Sequence, residues 1–98
     1  MKTLSEIKEI LRKHKKELRE KYKVKSIAIF GSYARGEQKE TSDIDILVEF
    51  YKTPDYLKFF ELEDYLSNLL GIKVDLVIKG AIKNPYIKKS IEEDLIYV

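Results

Sequence analysis

Three short apolar runs, Val24 to Phe30, Ile44 to Phe50 and Ile72 to Ile78, most constrain what this chain can fold into. Each is rich in β-branched residues and too short for a buried helix, so each reads as a strand. Between the second and third, Phe59, Leu62, Leu66 and Leu69 recur at helical spacing, Thr53 and Pro54 suit the helix start, and Gly71 suits its end. A strand, a helix of residues 54–70 and a further strand fold back most simply as a parallel pair with a right-handed crossover. The first two runs, apolar around Ile27 to Phe30 and Ile46 to Val48, belong at the centre of the sheet.

Helical signals flank these strands. Thr3 and Glu6 suit a capping box, and Leu4, Ile7, Leu11 and Leu18 continue at helical spacing, which predicts one amphipathic helix over residues 3–21. Ser32 to Glu40 reads as a short helix. Asn84 and Pro85 open a last one, with Ile87 and Ile91 facing inward, and Leu95 to Val98 is a candidate edge strand. The expectation is an α/β (α+β) chain whose 98 residues form a single domain, 1–98, with no repeat or linker.

Composition removes whole classes of chemistry. There is no cysteine, and His14 is the only histidine, so thiolate catalysis and sulfur-ligated zinc are excluded and any metal must be held by oxygen. A formal net charge of +2 gives no global field that would favour nucleic acid or a membrane. The apolar runs are too short to span a bilayer and the first residues are charged, so a cytoplasmic protein is expected. Lys13, Lys15 and Lys16 are interleaved with glutamates and read as a solvated face. Tyr51, Tyr56, Phe59 and Phe60 read as core, with a partner surface as the alternative.

The candidate chemistry lies at three places: Gly31-Ser32 after the first strand, Asp43-Ile44-Asp45 at the mouth of the second, and Asp75 within Val74-Asp75-Leu76-Val77. Residues two apart in a strand share a face, so Asp43 and Asp45 present both carboxylates together. With the second and third strands adjacent, Asp75 joins them. A carboxylate in a strand expected to be buried costs several kcal/mol unless it is paired or metal-bound, strand-end exposure being the alternative. Three clustered carboxylates repel, which calls for a cation, and magnesium fits because it completes its shell with water and substrate phosphates. Gly31 lets backbone approach a phosphate, Ser32 adds a hydroxyl at a helix start, and Arg35, one turn on, can reach a phosphate oxygen or an aspartate.

The string GSYARGEQKETSDIDILV, with ten residues between Gly31-Ser32 and Asp43-Ile44-Asp45, resembles the signature of the DNA polymerase β-like nucleotidyltransferases. Together with LEDYLSNLLGIKVDLV and the Pro-Tyr-Ile start of the last helix, it is similar to the minimal nucleotidyltransferase (MNT) branch, often paired with HEPN-domain proteins as antitoxin and toxin. The resemblance implies a palm-like fold: a small mixed sheet of three to four strands flanked by helices, the first two antiparallel. It implies two magnesium ions on Asp43 and Asp45, with Asp75 as third carboxylate near the acceptor, and ATP held through Gly31 and Ser32. By the same resemblance, AMP passes to a tyrosine of a cognate HEPN toxin. Two alternatives stay open: transfer to RNA or a small molecule, and a non-catalytic module that binds the toxin.

Overall fold

The computed structural model describes residues 2–98. Its elements run α1 (Leu4–Lys13), α2 (Lys15–Tyr22), β1 (Val24–Phe30), α3 (Ser32–Arg35), β2 (Ile44–Phe50), α4 (Tyr56–Leu70), β3 (Val74–Ile78), α5 (Pro85–Asp94) and β4 (Ile96–Tyr97). The sheet order is β3-β2-β1-β4. β1 is antiparallel to β2 and β4, and β2 is parallel to β3, so the sheet is mixed and the first two strands are central, as expected.

One face of the sheet carries the core. Ile27, Ile29, Ile44, Ile46, Val48, Val74 and Leu76 pack with Ile7, Leu11 and Leu18 of the N-terminal helices and Leu62, Leu66 and Leu70 of α4. At roughly 1.5–3 kcal/mol for each fully buried aliphatic side chain, this layer is the main source of stability. Strict alternation from Ile27 would turn Val24 toward the opposite face, yet Val24 is buried. The register shift between Val24 and Ser26 resolves this, because the bulge at Lys25 brings Val24 opposite Phe50.

Several boundaries differ from the sequence expectation. The N-terminal helix breaks at His14, whose Nδ1 lies 2.8 Å from the Ile10 carbonyl oxygen and so satisfies an acceptor freed at the end of α1. α3 stops at Arg35 because Gly36 takes a left-handed conformation. The cap of α4 is Asp55, whose side chain accepts from the Lys58 amide, so Pro54 lies outside the helix. On α4 Leu70 is fully buried, and Phe59 and Leu69 are only partly so. Tyr51, Tyr56 and Phe60 are more than half exposed, leaving Phe59 alone of that aromatic set against the core. Ile87 is likewise exposed and Ile91 half-buried. Lys13, Lys15 and Lys16 are solvated, as expected.

Candidate functional site

The sheet face opposite the core holds the candidate residues. Alternation places Asp45, Leu47 and Glu49 of β2 there, with Ser26, Ala28 and Phe30 of β1 and Asp75 and Val77 of β3. The parallel register sets Asp45 directly opposite Asp75, while the antiparallel register sets it opposite Phe30. A single half-buried carboxylate therefore sits at the crossing of three strands, flanked by Asp75 and the start of the Gly31 turn. Asp75 itself is exposed. The buried position expected from its apolar neighbours is not what occurs: those neighbours alternate, with Val74 and Leu76 in the core and Asp75 exposed on the opposite face.

Asp43 lies just before β2 and is exposed. The Asp45 carboxyl is pushed above its ordinary value, first by burial, then by the negative charges of Asp75 and Asp43, with a hydrogen bond to Asp75 in the same direction. Only Arg35 acts against the shift. Among the described residues no three or more acidic or imidazole side chains are gathered closely enough to hold a metal ion by themselves. Asp43 and Asp75 lie near enough to Asp45 for their charges to act on it, and both are exposed.

Gly31 completes the arrangement. Its φ of 74° and ψ of −150° belong to a region that side-chain-bearing residues rarely adopt. A β-carbon there would meet the Asp45 carboxylate, so only glycine lets the turn close over this aspartate. Ser32 opens α3, whose first amides lack intrahelical acceptors. Arg35 turns elsewhere: its Nη1 lies 2.5 Å from Oδ2 of Asp94 at the end of α5, and its Nε 3.2 Å from Oε2 of Glu37. Those two carboxylates raise the guanidinium above its ordinary value, Asp94 foremost through its hydrogen bond. The aspartate Arg35 reaches is thus none of the three in the site. Asp94, 59 positions away, carried no local sequence signal of this pairing.

Residues 11–98 match the nucleotidyltransferase domain family. A Methanocaldococcus jannaschii protein, named provisionally as a protein adenylyltransferase, is 91% identical over 98 residues, covering 100% of both chains. The protein adenylyltransferase MntA of Thermococcus cleftensis is 55% identical over 98 residues, covering 100% of this chain and 98% of that one. Among solved structures, a toxin-antitoxin crystal structure with AMP-PNP superposes with a TM-score of 0.72 at 32% identity, covering 88% of this chain and 69% of that one. A second, of a tri-AMPylated Shewanella oneidensis HEPN toxin in complex with its MNT antitoxin, gives 0.66 at 27% identity, covering 93% and 70%.

Proposed function

The chain belongs to the nucleotidyltransferase domain family, and on that premise we propose that it is a protein adenylyltransferase moving AMP from ATP to a tyrosine of a HEPN-type toxin. The observation that carries the reading is the register of Asp45 against Asp75 with Gly31 closed over Asp45. Relatives named adenylyltransferase, and neighbours solved with AMP-PNP and with an AMPylated HEPN toxin, support donor and acceptor.

The donor set fits magnesium, since it is all carboxylate, open to solvent, and places repelling charges beside a half-buried one. Asp43, Asp45 and Asp75 would hold it, and when bound it supplies charge neutralisation at the triphosphate and at the attacking oxygen. Gly31 and Ser32 bind the β- and γ-phosphates through backbone and hydroxyl donors. The phenolic oxygen of the acceptor forms a bond to the α-phosphorus as the bond from that phosphorus to the α,β-bridging oxygen breaks, and pyrophosphate departs in line. Asp75, the exposed carboxylate, faces the acceptor and draws its proton. ATP as donor accords with a cytoplasmic setting, and no helix among the described residues is long and apolar enough to cross a membrane.

The test is incubation of the full chain with ATP, MgCl2 and a HEPN-domain toxin, followed by intact and peptide mass spectrometry. Adenylate should appear on a partner tyrosine, require magnesium, and vanish with Asp75→Asn. An unmodified partner, or purified RNA gaining nucleotides in an Asp43-dependent way, would sink the reading.

A further inference from the structure

α4 carries a polar row beside its apolar one. Leu62, Leu66 and Leu70 are buried in the core, and Glu63 and Ser67, each one residue on and four apart, form the adjoining row. That row meets the edge of β3. The Ser67 hydroxyl donates to the Glu63 carbonyl at 2.9 Å and accepts from the Val74 amide at 3.0 Å, while Oε2 of Glu63 accepts from the Leu76 amide at 2.9 Å. The ion pairs among the described residues leave Glu63 out, so its part-buried carboxylate is given to backbone.

The two amides bracket Asp75. The Ile44 amide donates to the Lys73 carbonyl at 2.9 Å and the Lys79 amide to the Val48 carbonyl at 2.8 Å, so odd-numbered residues of β3 turn their backbone groups to β2 and even-numbered ones turn theirs outward. Asp75 is therefore laddered to β2 on one side, while both its neighbours are tied to α4 on the other. Among the described residues no cation pairs with the Asp75 carboxylate, and Asp45 opposite it repels when both are charged. Its place is thus set by its backbone. β3 has a ladder along one edge only, and the bonds from α4 restrain the other edge on either side of the one residue whose side chain serves the site.

We infer that Glu63 and Ser67 are positioning residues for the transfer step: through the backbone of β3 they hold Asp75 opposite Asp45, where it meets the acceptor hydroxyl. The inference rests on the transferase reading above and gives α4 a part in the acceptor half of the reaction. The donor half is spared, because the phosphate turn at Gly31 and Ser32 follows β1, two strands away from β3. A group displaced by a fraction of an ångström costs rate even when the other substrate binds normally.

The test uses the full chain with Mg·ATP and a HEPN-domain toxin, well below the melting temperature of every variant. Glu63→Ala and Ser67→Ala should each slow adenylate transfer by about tenfold or more, while calorimetry shows Mg·ATP affinity changed by less than about threefold. Glu63→Gln, which keeps an acceptor oxygen for the Leu76 amide, should restore the rate to within about twofold of the parent. Hydrogen exchange followed by NMR should quicken at the Asp75 amide in both alanine variants and not in Glu63→Gln. Ile7→Val, which loosens core packing on α1, is the control for lowered stability alone and should transfer at the parent's rate. Parental rates in both alanine variants would overturn the positioning role and leave the transferase reading standing. So would unchanged exchange at Asp75, an equal loss in Ile7→Val, a loss that Glu63→Gln does not restore, or a fall in Mg·ATP affinity as large as the fall in rate. A parent protein that binds Mg·ATP and labels no partner would overturn the transferase reading, and the positioning role with it.

Discussion

A β-carbon placed on Gly31 would collide with Oδ2 of Asp45, so this carboxylate keeps its position only beside a glycine. Gly31→Ala meets two penalties: a φ of 74° with ψ of −150° that strains any residue with a side chain, by roughly 1–3 kcal/mol, and a collision that must push Asp45 off its position opposite Asp75. The variant should melt lower and lose Mg·ATP binding by about tenfold or more. Ser32→Ala removes one hydroxyl and no backbone donor, so its loss should be only a few-fold. Calorimetry giving Gly31→Ala the parent's affinity would place the triphosphate elsewhere.

Asp45 also makes metal-free stability depend on pH in a definite direction. Burial, then the charges of Asp75 and Asp43, raise its carboxyl above the ordinary 3.8, so the folded state holds this proton more tightly than the unfolded chain does. The group's stabilising contribution is full below the ordinary value and disappears as pH rises through the raised one. Urea melts in EDTA should therefore show Asp45→Asn gaining on the parent from acid toward neutral pH. Saturating MgCl2 should stabilise the parent at neutral pH far more than the variant. A pH-independent difference between the two would mean that Asp45 feels no such repulsion.

The strands, their central placement and the parallel crossover were legible because apolar runs and helical spacing report burial directly. The aspartates were legible as residues, but the environment of Asp75 was not. Val74 and Leu76 face the core while Val77 lies on the same face as Asp75, and a sequence cannot say which positions on that face stay exposed. The break at His14 escaped because apolar spacing continues from Leu11 to Leu18 across it, and the ring's bond to the Ile10 carbonyl leaves no mark on that spacing. Asp94 escaped for the opposite reason, being joined to Arg35 by tertiary structure alone.

The free edge of β3 is guarded by α4. The Ser67 hydroxyl accepts from the Val74 amide at 3.0 Å and Glu63 accepts from the Leu76 amide at 2.9 Å, occupying two donors that another strand would otherwise use. Ser67→Ala or Glu63→Ala should each destabilise by about 1–3 kcal/mol, the cost of an unmet part-buried donor. The double variant should also self-associate, visible as concentration-dependent sedimentation. A double variant that stays monomeric and as stable as the parent would show that water replaces both side chains without cost.

Arg35 stands one turn beyond the Gly31-Ser32 turn, but two carboxylates hold it. If its service is to the triphosphate, Asp94 competes with the substrate for it, because the guanidinium cannot keep its fork on Asp94 and also offer that fork to a phosphate oxygen. Asp94→Asn should then leave Mg·ATP affinity unchanged or raise it a few-fold, whereas Arg35→Ala lowers it. If instead the pair only fastens the end of α5 beside the phosphate turn, both variants should weaken binding alike, and Arg35→Ala with Asp94→Asn together should cost no more than either alone. The exposed setting of Arg35 makes the pair salt-sensitive, so the comparison belongs at low ionic strength, where the two outcomes separate most widely.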